Sequence, residues 1–321
     1  MPNYQGVWSL SEQYQNASGW GLKPLSGNIA LFGGGTTTGA DYLTTIESLS
    51  LVSSANGIDF GDILAGTQSM GSCSSATRGV FAGGYSGVSR IDTMQYVTIL
   101  SRGNALDFGD LTEARQLLAG AANSTRGLFA GGLNASVSRV NTIDYITIGS
   151  TGNAIDFGNL TTARQNLSGV ASPTRACFGG GFLTSRLNTI DFVTIGSTGN
   201  ATDFGDLTQA RDGMGSGCSS TRGLFAGGFN SGRYNIIDYI TIASAGNATD
   251  FGDLTVSANG RQGSSSETKA VFAGGYNGTE RLASIDAVTI ASTGNATNYG
   301  DLTVAKNGIS LGICSNAHGG L

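Results

Sequence analysis

Residues able to do chemistry occur in this chain mostly as repeated sets. Asp-Phe-Gly stands at Asp59, Asp107, Asp156, Asp203 and Asp250. A kinase uses one such aspartate on magnesium, beside a glycine-rich phosphate loop and a catalytic lysine. Five copies in register, without those partners, read as framework. The single histidine, His318, stands in the last four residues, so no Ser-His-Asp set assembles convincingly around it. Cys73, Cys177, Cys218 and Cys314 form no Cys-x-x-Cys pair, and their spacing suits neither zinc nor a disulfide framework. They read as small buried thiols. Two facing carboxylates would suit glycoside cleavage, but the acids that stand out are repeated ones, which fit equivalent structural roles better than one active site. The expectation is no catalytic residue, no metal and no cofactor.

Arginine falls at three phases: Arg78, Arg126, Arg175 and Arg222; Arg90, Arg139, Arg186, Arg233 and Arg281; and Arg115, Arg164 and Arg211. Aromatic residues follow glycine pairs at Tyr85, Phe182, Phe229 and Tyr276. These rings, with Arg139 and Arg186, are the candidate ligand-binding residues.

The elements that position them follow from a repeat. Phe32, Phe81, Phe129, Phe178, Phe225 and Phe272 are spaced by 49, 48, 49, 47 and 47 residues, each just ahead of a glycine pair. A fixed period in the forties marks a repeat architecture. Each unit reads as four short strands, A to D. In one unit B is Leu128 to Gly131, C is Ile143 to Ile148 and D runs from Ile155 to Leu160, with the next A at Asn166 to Ser172. Ser150-Thr151-Gly152-Asn153-Ala154 is the turn from C to D, where Gly152 and Asn153 can take positive φ. The fold class is therefore all-β, a six-bladed propeller over residues 27–321. The first unit lacks an A strand and the chain ends on an extra one, Gly308 to Ser315, so the last strand is expected to complete the first blade and cover its edge.

The chain has 321 residues, 52 of them glycine, and a net charge of −5. That balance disfavours nucleic acid or an anionic membrane as the main partner. No run of 18 apolar residues occurs, and no basic-then-apolar leader is present, so the reading is a protein made in a cytoplasm. Residues 1–26 stand outside the repeat and hold both tryptophans. Ser9 and Glu12 form a capping box for a short helix at Leu10 to Gln15, which needs a surface to lie on. Trp8, Tyr14 and Trp20 are its candidate docking residues, on this propeller or on another subunit.

Arginines of the second and third phases share one propeller face, near Asp110, Asp206 and Asp253, as ion pairs between blades or as an anion-binding ring. The opposite face is nearly constant from unit to unit, whereas the B-to-C loops vary: Thr36 to Ala40, Leu133 to Arg139, Tyr276 to Arg281. Variable loops on a rigid scaffold suit recognition. On it, Tyr85, Phe229 and Tyr276 would offer flat surfaces to sugar rings, the arginines being taken up by aspartates.

Gly131-Gly132, Tyr145, Phe157 and Arg164, and again Gly227-Gly228, Tyr239 and Phe251, resemble the kelch repeat. The resemblance covers about nine-tenths of the chain. It departs where kelch units carry Trp, since Phe60, Phe108, Phe157, Phe204, Phe251 and Tyr299 stand there. The family implies a propeller with its partner-binding face at the B-to-C loops. Copper-radical oxidases share such a propeller, but their metal site needs more than one histidine. The near-identity of the units, with Gly6-Val7-Trp8-Ser9-Leu10, also resembles small kelch-like virion proteins of tailed phages. This implies a non-enzymatic virion component, in a tail, fibre or capsid, made in the host cytoplasm and held to other virion proteins through residues 1–26. Its face would contact a host-surface glycan or another virion protein. A glycan hydrolase and a peptide-binding adaptor are the rival readings.

Overall fold

The structure, a computed structural model, describes residues 25, 27–37, 41–308, 312 and 314–321. Trp8, Tyr14, Trp20 and the expected helix lie outside the described residues. Six blade sheets follow one another along the chain, five of them four-stranded in the order A-B-C-D and the first with B-C-D, beside a two-stranded sheet of Arg115–Gln116 with Leu133–Asn134. The third blade is typical: Ala119–Ala122, Arg126–Ala130, Thr142–Thr147 and Ile155–Asn159. No helix occurs among the described residues. The first blade has Ile29–Gly33, Thr45–Ser50 and Ile58–Asp62 as B, C and D. Its inner position is taken by the chain's end: Leu31 N donates to Cys314 O at 2.9 Å, Ala30 pairs with Ser315, and Asn316 N donates to Ile29 O at 3.2 Å. Strand exchange between the two ends thus closes the ring, as the unit count requires.

The apolar core lies between blades rather than inside them. Six buried clusters occur, each drawn from two neighbouring blades. The cluster containing Phe32, Leu49 and Leu51 of the first blade with Val271, Ile285 and Leu302 of the sixth joins the ends of the chain. Leu25 packs on the cluster between the first two blades. Asp-Phe-Gly is a β-bulge. Asp144 faces Asp156 while Ile143 faces Gly158, so Phe157 is the extra residue and drops into the core between blades. The same shift recurs in the other five blades.

The C-to-D turns join blades as well. Asn153 does not take positive φ, as the turn suggested; Gly152 does. Instead Asn153 Oδ1 accepts from Asp110 N of the preceding blade at 3.1 Å. All six seams carry this bond, through Asn56, Asn104, Asn153, Asn200, Asn247 and Asn295, at 3.0–3.1 Å.

A propeller of this kind is expected to surround a channel, but here the A strands pack closely on one another around the axis, leaving a cavity of about 170 Å³ at one mouth, lined by Ser69, Leu117, Asn166, Gly260 and Gly308. The A strands carry small residues such as Ala119-Gly120-Ala121-Ala122, and a Cβ on Gly120 or Gly263 would collide with the backbone of the neighbouring A strand. Serine hydroxyls bridge these strands, Ser216 Oγ to Gly169 O at 2.8 Å and Ser265 Oγ to Cys218 O at 2.9 Å. At one end a chain of backbone bonds runs from blade to blade. Ser69 N donates to Gly308 O, Leu117 N to Ser69 O, Asn166 N to Leu117 O, Gly213 N to Asn166 O and Gly260 N to Gly213 O, at 2.7–3.0 Å. All six residues have left-handed φ, between 58° and 68°. Three are glycine, for which this is free of strain; Ser69, Leu117 and Asn166 hold it against the usual steric preference.

At the other end the last residues cross the axis. His318 Nε2 lies 3.0 Å from Ser74 O of the second blade, Gly319 N donates to Cys218 O of the fifth at 3.2 Å, and Gly320 abuts Ala122 of the third. Gly320 N donates to His318 Nδ1 at 3.1 Å. The imidazole therefore accepts at Nδ1 and donates at Nε2, which is the neutral tautomer.

Two outcomes follow. Leu117→Gly removes a whole side chain yet should leave the denaturation midpoint within about 1 kcal/mol of the parent or raise it, since strain relief offsets lost contact. Leu118→Gly, fully buried on ordinary backbone, should cost at least about 3 kcal/mol by the same urea titration. Burial pushes the His318 pKa down from 6.5 to about 4. The unfolded chain therefore binds this proton between those values and the folded chain does not. Stability should be full above pH 6.5 and fall as pH drops toward 4, by up to roughly 3 kcal/mol. Melting temperature against pH should show this component in the parent and not in His318→Gln.

Candidate binding face

Three arginine phases have three different fates. Arg78, Arg126, Arg175 and Arg222, at the A-to-B turns, lie over the rings of Tyr96, Tyr145, Phe192 and Tyr239 at 4.2–4.5 Å. Each also donates from Nη1 to a carbonyl of the next blade, Ile148, Ile195, Ile242 and Ile290, at 2.8–3.0 Å. They are seam fasteners of the constant face.

Arg115, Arg164 and Arg211 are wholly buried. Their partners are not Asp110, Asp206 and Asp253, as linear proximity suggested, but the strand-C aspartates Asp144, Asp191 and Asp238, at 3.0–3.1 Å. D-to-A connections double back over strand C, so a residue 29 positions away in sequence becomes the neighbour. Each guanidinium also donates to the carbonyl of Phe129, Phe178 or Phe225. Each carboxylate accepts from the amide and hydroxyl of Thr112, Thr161 or Thr208. Burial pulls these arginines below their ordinary pKa, and the facing carboxylates oppose that shift.

Sequence reading missed two further members. Arg261 starts three residues beyond the register of Arg211 but reaches the same place, Phe272 O at 3.1 Å and Asp286 at 3.4 Å. Lys306 pairs with Glu47 at 3.1 Å. The second blade has the neutral set Thr67 and Gln95, whose Oε1 accepts from Leu64 N at 2.6 Å. Joint loss of both charges in one unit was a readable signal of who pairs with whom. Blade-to-blade ion pairing is thus the role of this phase, with the aspartates reassigned.

The B-to-C loops form the remaining face. Tyr85, Phe182, Phe229 and Tyr276 are half-buried; Phe182 and Phe229 each lie under two arginines and Tyr276 under one. Arg139 lies over Phe182 at 4.9 Å, and Arg186 lies over both Phe182 at 5.0 Å and Phe229 at 4.7 Å. Arg233 lies over Phe229 at 5.4 Å and Tyr276 at 4.6 Å. Tyr85 instead packs edge-on against Tyr42 at 5.9 Å. Aspartates do not neutralise this set as expected: Asp212, 3.5 Å from Arg186, is the acid found against these loop arginines among the described residues. An arc of alternating guanidinium and aromatic planes therefore runs over blades three to six. Stacking fixes each guanidinium, and only Arg186 also has a carboxylate, Asp212, against it among the described residues. Such an arc suits ligands carrying carboxylate, sulfate or aromatic groups.

Burial raises the Cys177 thiol to about 12, Cys218 to about 11 and Cys314 to about 12, and pushes Cys73 well up too. Thiolate chemistry at neutral pH is thereby suppressed. Among the described residues, no three His, Cys, Asp or Glu side chains cluster as metal ligands. Compared with known proteins, the chain matches no family model and no curated protein.

The buried pairs yield an exchange experiment. Arg164→Thr alone strands Asp191 and should cost about 3–5 kcal/mol in urea denaturation. Adding Asp191→Gln copies the natural Thr67 and Gln95 set and should recover most of that loss, a coupling read directly from the double-mutant cycle.

Proposed function

We propose that this propeller is a non-enzymatic binding and assembly module of a tailed-phage particle, kelch-like in its repeat. Residues 1–26 serve as its anchor, and the B-to-C loop face makes contact with a host-surface glycan or another virion protein. One observation carries the reading: the near-identical blades differ chiefly in these loops, where charged and aromatic planes alternate in a fixed arc. A rigid ring with its A strands closely packed holds such groups in place at little entropic cost on binding. The resemblance of the repeat to kelch units and of the whole to small virion proteins supplies the particle context.

Guanidiniums, not bare rings, present the contact surface, so binding should be salt-sensitive. Full-length protein, fluorescently labelled, would be applied to an array of neutral, sialylated and sulfated glycans and to immobilised virion proteins. Binding should weaken tenfold or more in Arg186→Ala, with the melting temperature little changed. Release of sugar from the array would overturn the non-enzymatic reading, and equal binding by Arg186→Ala would move the contact elsewhere. Deleting residues 1–24 should abolish association with the particle while leaving array binding intact.

A further inference from the structure

At three successive seams the loop arginine of one blade covers an aromatic ring of the next: Arg139 on Phe182, Arg186 on Phe229, Arg233 on Tyr276. The repeat assigns Arg281 the same role at the seam between the sixth and first blades. It is held in the same way, since Arg281 Nε donates to Asn307 Oδ1 at 2.9 Å just as Arg233 Nε donates to Asn259 Oδ1 at 3.0 Å. Register identifies the ring position it should cover. Asp212 bridges Phe229, Asn259 bridges Tyr276, and Asn307 bridges Thr36. Thr36 therefore stands where those three seams have Phe or Tyr, while Leu133 holds the same position between the second and third blades. Among the described residues no ring lies over Arg281 and no carboxylate pairs with it. In place of a ring the seam opens into a cavity of about 550 Å³ lined by Thr37, Tyr276, Thr279, Glu280, Arg281 and Asn307.

We infer that this cavity receives an aromatic side chain of a partner polypeptide, which stacks on the Arg281 guanidinium as Phe182, Phe229 and Tyr276 stack on theirs. The molecule itself displays the complementary group three times. The cavity exceeds one ring, and beside Ala305 the remainder of its lining is hydroxyl, amide and carboxylate: Thr37, Thr279, Asn307 and Glu280. Such groups match the amides of a peptide flanking the inserted ring. Glu280 is exposed and makes no ion pair among the described residues, so its carboxylate is available to an indole or backbone N–H. The inference rests on the binding-module reading above and narrows the partner to protein.

N-acetyl-tryptophanamide and N-acetyl-tyrosinamide are the probes, followed by saturation-transfer NMR on the full chain. Their ring protons should receive saturation from the parent. Arg281→Ala should weaken this at least fivefold, and Thr36→Phe, which supplies the ring internally, should abolish it with folding checked by circular dichroism. If Thr36→Phe does not fold, Arg281→Ala alone decides. Equal saturation in parent and Arg281→Ala, no saturation at all, or saturation of N-acetylneuraminic acid in preference to the amides would each overturn the inference. Those outcomes, with the Arg186 dependence of surface binding intact, would leave the contact face standing and remove its aromatic pocket. Loss of both would remove the face.

Discussion

A four-stranded blade in this protein has two apolar faces and no partner within itself, so every core is shared between neighbours. That single constraint explains why the other devices sit at seams. The bulge at Phe157 tips its ring toward the next blade, and Asn153 ties a turn to the previous one. The A-to-B arginines reach across to carbonyls of the following blade. Open ends would leave apolar sheet faces and edges in water. The exchange of Cys314 to Asn316 into the first blade is therefore a condition of stability for all six blades.

Charge is buried where the chain passes from blade to blade. Removing an ion pair from water is costly unless its hydrogen bonds are completed. Here each carboxylate meets a threonine amide, a threonine hydroxyl and a cation. The six seams solve this in four ways: Arg with Asp in register, Arg261 from three residues on, Lys306 with Glu47, and the neutral Thr67 and Gln95. Conservation of the place rather than of the residues indicates that geometry, not one particular pair, is what the fold demands.

Because seams and axis hold the ring, the B-to-C loops are free to differ. Where they repeat, arginine and aromatic planes interleave; where the chain's ends meet, the series is interrupted by Thr36. Leu133 interrupts it as well, between the second and third blades, so the irregularities lie on the face where loop variation is greatest.

Period, strand phase and the missing first A strand were all legible in the residues, because alternation of apolar residues and the glycine pairs are local properties of the chain. Six blades, strand exchange at the ends and buried cysteines followed from them. Partner choice did not. Arg115 is closer in sequence to Asp110 than to Asp144, and only the return of the connection over strand C reverses that order. The close packing around the axis was equally hidden: small residues in strand A permit either a channel or contact, and the sixfold closure decides for contact. The turn at Asn153 needed the neighbouring blade to reveal its bond, and the rings of Phe182 and Phe229 needed it to reveal that they are covered. His318, a lone residue without meaning in the sequence, acquires its neutral form from a carbonyl of the second blade, because the chain's last turn crosses the axis to reach it.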